Sequence, residues 1–143
     1  MLKNLTQYGE FAQRLTIGGI YHYVYDAKYK EQLDTWDRLP LCVPIDITKK
    51  HILGLNLHYV PVRTRRLILI ELIGNIQKIN DNVKLQRANY AVLQRAAIFD
   101  DVSPCIKKYL FNHVRSPFLE IYPRFWPKIV ELPTAQWTGK RPY

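Results

Sequence analysis

Cysteines and long apolar runs are both scarce in this sequence. Its two cysteines, Cys42 and Cys105, lie 63 positions apart and form no C-x-x-C pair. That spacing excludes a disulfide framework and a zinc site of the C-x-x-C type, so we expect two buried, reduced thiols. The longest apolar run, Leu67 to Ile73, is interrupted by Glu71. Because a membrane span needs ~20 apolar residues, we expect no membrane segment.

Catalytic motifs are absent as well. The sequence has no glycine-rich phosphate loop, no G-x-S-x-G and no Cys–His pair at a known spacing. His51 and His58 are seven positions apart, on opposite faces of a regular strand, so they do not share a metal unless a bulge shifts the register. The aspartates that cluster in the sequence, without a nuclease pattern around them, are Asp26, Asp34, Asp37 and Asp46. We predict no enzyme, cofactor or metal, and a nuclease built on these carboxylates is the weakest functional hypothesis.

Positive charge is what the sequence has in excess. It carries 21 Lys and Arg against 12 Asp and Glu, a formal net charge of +9. Residues 1–50 contribute +1, while residues 51–100 and 101–143 contribute +4 each. Such a field attracts nucleic acid, acidic protein surfaces or anionic lipid. The candidate contacts for a polyanion or an acidic partner are Arg63, Arg65, Arg66, Arg87 and Arg95.

The pattern changes several times in the N-terminal third. Apolar residues at helical spacing predict a short helix over residues 1–15, which ends before Gly18 and Gly19. Alternation then predicts a strand over residues 20–25. The charged segment after it predicts a long loop with a helical turn at Trp36.

A β-hairpin is predicted next, over residues 41–47 and 51–59, with its turn at Thr48-Lys49-Lys50. Pro44 lacks an N–H donor, which indicates that the first strand lies at a sheet edge or begins there. Gly54 predicts a bulge in the second strand. We expect local hydrogen bonds from Asn56 and His58 to organise the hairpin, with Tyr59 on the core side under the following helix.

Three helices are predicted after the hairpin, over residues 62–79, 83–99 and 103–114. Pro61 can start the first helix, and either Asp81 or Asn82 can cap the second. Ser103 followed by Pro104 is typical of a third helix start. Residues 1–115 are therefore expected to form one α+β domain, with an antiparallel β-unit of three or four strands for which an SH3-like form is one option.

Residues 116–143 hold five of the nine prolines, too many for a long helix, but also too many aromatics for a free tail. We predict a C-terminal arm that packs either on its own domain or on a neighbouring subunit. Aromatic side chains are frequent anchors of protein interfaces. The candidate partner-binding residues are Phe118, Tyr122, Phe125, Trp126 and Trp137.

Two sequence stretches resemble a family of small virion-associated proteins of large tailed bacteriophages. The first has the pattern Y-D-x-K followed by L-x-x-[YW]-D-x-[FL]-P-L. The second has G-[FL]-x-G-[LI]-N-x-H-Y-[LV]-P before an arginine-bearing helix, and this chain lacks the first glycine of that pattern. The matching residues are Tyr25, Asp26, Lys28, Leu33, Trp36, Asp37, Leu39, Pro40 and Leu41, then Gly54, Leu55, Asn56, His58, Tyr59 and Pro61. The resemblance covers about residues 18–70 and implies a phage structural or assembly protein.

The leading hypothesis from the sequence is therefore a non-enzymatic structural component of a tailed-phage particle, in its tail, baseplate or neck. It would act through contacts with other virion proteins in a multi-subunit assembly. The alternative is a small DNA-binding protein that acts on phage DNA ends or in packaging, with packaged DNA as its partner. The N-terminal residues lack the apolar core of a signal peptide, so we expect synthesis in the host cytoplasm and a final location in the virion.

Overall fold

The computed structural model of the protein describes residues 3–27, 30–32, 35–132 and 138–140. They form an antiparallel sheet of six strands, a separate two-stranded pair and three helices, which confirms the α+β class. An SH3-like arrangement is not confirmed. The strands are β1 Gly9–Phe11, β2 Tyr21–His22, β3 Thr35–Asp37, β4 Leu41–Ile47, β5 His51–Asn56, β6 Ile106–Leu110, β7 Leu119–Ile121 and β8 Thr138–Lys140. The helices are α1 Val62–Lys78, α2 Asn82–Ala96 and α3 Trp126–Ile129.

The large sheet has the order β1-β7-β2-β4-β5-β6, while β3 pairs with β8. Its centre is the predicted hairpin β4–β5, closed by a turn in which the Thr48 N–H donates to the His51 carbonyl at 2.9 Å. The sheet is not confined to the N-terminal half, since β6 and β7 come from the second half of the chain. Strands distant in sequence therefore complete the unit that the hairpin begins.

The prediction that β4 is an edge strand is wrong, because β4 lies between β2 and β5. The missing N–H of Pro44 is accommodated by a bulge in β4 itself, where the register shifts between Pro44 and Asp46. The predicted bulge at Gly54 thus belongs to the opposite strand. Gly54 is needed for another reason: a Cβ at that position would collide with the Cys42 sulfur.

The first two predicted helices are confirmed as α1 and α2, and they pack against each other. Pro61 immediately precedes α1, and the Asp81 carboxylate caps α2 by accepting from the N–H groups of Val83 and Lys84 at 2.8 and 3.2 Å. The buried face of α1 comprises Arg65, Ile68, Leu69 and Leu72. Leu67 and Ile70, which belong to the longest apolar run of the sequence, are exposed instead.

Three local predictions are wrong. Residues 3–8 form a 3₁₀ helix that leads into strand β1, rather than a helix over 1–15. Trp36 lies in strand β3, not in a helical turn. The predicted third helix is mostly strand β6, which pairs with β5 between two 3₁₀ turns. In each case pairing with a strand distant in sequence outweighs the local helical pattern. A short sequence window does not contain the distant strand, so it cannot predict this pairing.

The described part of the C-terminal segment folds into the domain. Strand β7 inserts between β1 and β2, so it is an interior strand of the large sheet. Trp126 at the start of α3 is 2% exposed, and its indole N–H donates to the Ile121 carbonyl at 3.0 Å. Trp137 lies outside the described residues. The arm up to residue 132 therefore buries its apolar side chains against its own sheet and helix α1.

Both faces of the sheet are covered. One face packs with the helices into the main core, which includes Ile20, Leu41, Leu55, Leu72 and Trp126. The other face holds a cluster of aromatic rings in edge-to-face contact, with Tyr23 and Tyr109 at 5.9 Å between centroids. As the alternation predicted, Tyr21, Tyr23 and Tyr25 share this second face, while Ile20 belongs to the main core.

Both cysteines are buried with free thiols. None of the described helices is long and apolar enough to cross a membrane.

Arg65 is the main polar link between the helices and the C-terminal segment. Although it is an arginine, it is only 6% exposed. Its guanidinium donates to three backbone carbonyls, those of His58 at 2.6 Å, Val60 at 2.6 Å and Val130 at 2.5 Å. The predicted contact of Arg65 with a polyanion is thereby corrected, because this side chain is buried and its three guanidinium nitrogens each donate to a backbone carbonyl.

We expect the substitution Arg65→Met to lower the free energy of unfolding by about 2–4 kcal/mol, because three buried carbonyls lose a charged donor. The matched control is Arg63→Met, an exposed arginine on the same helix, which should change the stability by less than about 0.5 kcal/mol. Urea unfolding followed by tryptophan fluorescence measures both. Equal effects of the two substitutions would contradict the structural role of Arg65.

Candidate nucleic-acid interface

The two sequence stretches that carry the phage resemblance meet at one corner of the fold. The Asn56 side-chain amide donates to the Tyr109 hydroxyl at 3.0 Å and lies 3.4 Å from an Asp37 carboxylate oxygen. The Tyr109 hydroxyl in turn donates to the other Asp37 oxygen at 2.8 Å. The Asn56 side-chain oxygen Oδ1 accepts from the His58 N–H at 3.0 Å, which starts the 3₁₀ turn Leu57–Tyr59 before α1. Asn56 therefore connects β3, β6 and the turn.

Tyr59 lies at the surface of this corner. The prediction that it packs beneath α1 is wrong, since its side chain is 38% exposed. Partial burial is the larger cause that raises the pKa of Tyr59, and the negative charge of the nearby Asp37 carboxylate is the second. The Tyr59 hydroxyl therefore stays protonated. The Lys107 ammonium lies over the Tyr59 ring, 5.7 Å from its centroid. We call the group of Asp37, Asn56, Tyr59, Lys107 and Tyr109 the Tyr59 corner.

A second group of cations and rings lies where the C-terminal segment crosses β1. Arg124 is 4.9 Å from the ring centroids of both Tyr122 and Phe125. Lys128 is 4.9 Å from the centroid of Tyr8, and the Tyr8 and Phe125 rings meet edge to face at 4.9 Å. We call the group of Tyr8, Tyr122, Arg124, Phe125 and Lys128 the aromatic patch. The three rings are half-buried, while Arg124 and Lys128 are exposed.

Sequence reasoning found only part of the aromatic patch. Tyr122 and Phe125 were named as interface anchors, whereas Tyr8, Arg124 and Lys128 were missed. Arg124 and Lys128, beside Pro123 and Pro127, can be recognised in the sequence as candidate nucleic-acid contacts, because they are interleaved with aromatic residues. Tyr8 cannot, because it approaches Phe125 only through the pairing of β1 with β7.

The other predicted anchors are placed differently. Phe118 packs against the buried tyrosine cluster, with its ring centroid 4.7 Å from that of Tyr23. Trp126, the first residue of α3, is buried in the main core. Neither is presented to a partner in this structure. Of the predicted anchors that the structure describes, Tyr122 and Phe125 are the two that belong to the aromatic patch.

The five predicted arginines are distributed over two helices and differ in their contacts. Arg66 forms an ion pair with Glu131 at 2.7 Å, and Arg95 approaches Glu71 at 4.0 Å. Arg63 and Arg87 are exposed and have no ion-pair partner among the described residues. Together with the burial of Arg65, this leaves Arg63 and Arg87 as the freest of the five for an external anion.

The sequence cluster of aspartates is not brought together as a metal site. Asp37 belongs to the Tyr59 corner, Asp26 lies 3.5 Å from the Arg115 guanidinium, and Asp46 accepts from the Ile47 N–H at 3.0 Å. Asp34 lies outside the described residues. Within the described ranges, no group of three or more His, Cys, Asp and Glu side chains is positioned to hold a metal ion.

The fold is that of a small, basic α+β protein, and comparison with known families shows the group to which it belongs. The family model of the phage T4 terminal DNA protecting protein matches residues 5–143, nearly the whole chain, and the chain belongs to that family. This confirms the phage origin that the sequence resemblance implied, but the match does not identify a virion structural family. No curated protein and no solved structure matches the chain.

Two buried histidines near the Tyr59 corner should make the stability of the protein depend on pH. Burial lowers the pKa of His22 to about 4. Burial, with the nearby Arg65 guanidinium as a second cause, lowers the pKa of His58 to about 2. In the unfolded chain a histidine has a pKa of about 6.5. The folded state therefore keeps both rings neutral, while the unfolded state binds protons as the pH falls below that value.

We expect the free energy of unfolding to be constant above pH 7 and to fall between pH 6 and pH 4.5, by up to about 1.4 kcal/mol per pH unit for each histidine. Urea unfolding at a series of pH values measures this slope. The double variant His22→Gln/His58→Gln, which keeps His51 and His113, should show a flatter profile. A native stability that does not change between pH 7 and pH 5 would be incompatible with two neutral buried histidines.

Proposed function

We propose that this protein binds the ends of duplex phage DNA and shields them from exonucleases without catalysing a reaction itself. The first support is its family, whose description names a terminal DNA protecting protein. Protection of an end requires only that a bound protein occupies the terminus, because an exonuclease must reach the terminal nucleotide. Of the hypotheses that the sequence leaves open, the DNA-binding alternative agrees best with this family.

The charge of the chain supports contact with DNA. Of its net charge of +9, residues 51–143 contribute +8. Neutralising phosphates with Lys and Arg releases condensed counterions, and this supplies much of the affinity of DNA-binding proteins. A field of this sign also speeds the encounter with DNA.

The observation that carries the proposal is that three cations lie over partly exposed aromatic rings and have no carboxylate partner among the described residues. Lys107 covers Tyr59, Arg124 covers Tyr122 and Phe125, and Lys128 covers Tyr8. In the described part of the chain none of the three has a carboxylate partner, in contrast to Arg66 and Arg115. Cations next to ring faces are the combination with which proteins hold nucleic-acid strands. Phosphate contacts by these side chains require no rearrangement of ion pairs.

The proposal predicts that the protein slows exonuclease digestion of linear duplex DNA. The double reversal Arg124→Glu/Lys128→Glu should weaken both protection and DNA binding. It should also make the log–log dependence of affinity on salt shallower by about 1.8, since each lost phosphate contact contributes about 0.9. The measurements are the half-life of end-labelled DNA under an exonuclease and a salt titration of binding.

The matched control is Lys49→Glu/Lys50→Glu, which changes the net charge by the same amount at the exposed turn between β4 and β5. This variant should protect DNA nearly as well as the native protein. If the native protein leaves the digestion rate of linear DNA unchanged, the proposed function is wrong. If both double reversals weaken binding equally, only the overall charge matters and the assignment to these cations fails.

A second candidate function, contact with another virion protein, is favoured by one observation. Between α1 and the C-terminal end of α2, the large apolar side chains of Leu67, Ile70, Ile98 and Phe99 are 58–79% exposed. Adjacent exposed apolar side chains of this size frequently mark a protein interface. Such an interface would place the protein in the particle together with the DNA it protects, whether or not it belongs to the tail, baseplate or neck.

This second candidate predicts that Ile70→Asp reduces the amount of the protein in purified particles while end protection by the isolated protein is unchanged. Quantitative mass spectrometry of particles measures the first effect, and the exonuclease assay measures the second. Unchanged occupancy of the variant would argue against an interface on this face.

A further inference from the structure

We infer that the aromatic patch holds an unpaired or frayed base at the end of the DNA, so that the protein prefers ends over internal duplex. This inference rests on the proposed function and concerns the feature of DNA that is recognised. Its ligand is a terminal nucleotide whose base has an exposed ring face.

The patch combines groups that stack with groups that bind phosphate. Arg124 lies at the same distance, 4.9 Å, from the centroids of Tyr122 and Phe125. A guanidinium plane and an aromatic ring are both surfaces on which nucleobases stack. Lys128 lies over Tyr8, whose ring contacts Phe125, so a second cation is available for the phosphate of the same nucleotide.

The rings of the patch are held in place by the fold. The Tyr122 N–H donates to the Tyr8 carbonyl at 2.9 Å, which continues the pairing of β1 with β7. The Phe125 N–H donates to the Tyr122 carbonyl at 2.9 Å within the 3₁₀ turn Pro123–Phe125. Backbone hydrogen bonds thus fix the backbone that carries the three rings, and Phe125 also contacts the rings of Tyr8 and Tyr122, at 4.9 and 6.5 Å between centroids, so binding a base costs little ordering of the protein.

The charge around the patch limits where DNA can lie. Glu10 and Glu120 face each other in the β1–β7 pair, one pairing position beyond Gly9 and Ile121. Their carboxylates repel a phosphate backbone that would run along these strands. The DNA is therefore expected to approach from the side of Arg124 and Lys128, with the terminal nucleotide reaching the rings.

Stacking distinguishes an end from internal duplex because internal bases are already stacked on both faces. An enzyme that needs an internal base must first extrude it, which costs a few kcal/mol. At an overhang or a frayed terminus the face of the base is available without that cost. Cations alone bind phosphates anywhere along the DNA. The aromatic rings therefore supply the part of the affinity that depends on an end.

The test compares three DNA ligands of one sequence: a duplex with paired ends, the same duplex with two mismatched terminal base pairs, and a covalently closed circle. A 2-aminopurine at the terminal position reports stacking through its fluorescence. We expect the native protein to bind the mismatched end about tenfold more tightly than the paired end, since stacking of one base contributes about 1–3 kcal/mol. The closed circle should bind more weakly than either.

Two variants remove stacking while they preserve the fold or the charge. Arg124→Lys keeps the positive charge but loses the planar guanidinium, and Phe125→Leu keeps an apolar side chain but loses the ring. Each should reduce the preference for the mismatched end from about tenfold to less than about threefold. This corresponds to a loss of roughly 0.7 kcal/mol or more in the difference between the two binding free energies. The matched control Arg14→Lys, an exposed arginine outside the aromatic patch with no ion-pair partner among the described residues, should leave the preference unchanged.

The outcomes separate this inference from the proposed function. If the protein protects linear DNA but binds mismatched and paired ends equally, the stacking role is wrong while end protection stands. If the preference exists but survives both Arg124→Lys and Phe125→Leu, recognition occurs elsewhere and the inference is overturned. If linear DNA is not protected at all, the proposed function and this inference fail together.

Discussion

The buried guanidinium of Arg65 is the interaction on which the arrangement of this surface depends. It joins the 3₁₀ turn before α1 to Val130, which lies 65 positions later and directly after α3. Arginine suits this position because it stays charged when buried and presents several N–H donors in one plane. Tyr59 lies within the turn, and Lys128 lies within α3. One side chain therefore fixes elements of both the Tyr59 corner and the aromatic patch.

The buried tyrosines impose a second constraint. A sheet whose second face is covered by tyrosine rings also buries hydroxyl groups, and most buried hydroxyl groups in proteins have a hydrogen-bond partner. The Tyr109 hydroxyl finds Asp37 and Asn56, and the Tyr25 hydroxyl accepts from the Leu110 N–H at 3.0 Å. The position of Asp37 at the edge of the tyrosine cluster is thus tied to the packing of β6. This explains in physical terms why the two sequence stretches of the phage resemblance meet in space.

The sequence predicts elements whose information is local and misses those that depend on distant pairing. The hairpin, its turn at Thr48 and the helices α1 and α2 follow from alternation, helical periodicity and caps within short windows. Strands β1, β6 and β7 do not, because each is stabilised by a partner far away in the chain. The same distinction applies to the site. Tyr122 and Phe125 could be named from composition, whereas the approach of Tyr8 and the burial of Arg65 required the fold.

A protein that acts at DNA ends must distinguish them from a far larger number of internal positions. Net charge cannot do this, because every phosphate along the duplex attracts it equally. Discrimination requires groups that respond to the exposed base face, and these groups must be rigid so that little entropy is lost on binding. In this chain the cations and rings occupy the same surface, and backbone pairing between β1 and β7 holds the rings. Under the proposed function, the general attraction and the end-dependent contact come from neighbouring side chains, so that one surface binds both the phosphates near a terminus and the exposed terminal base.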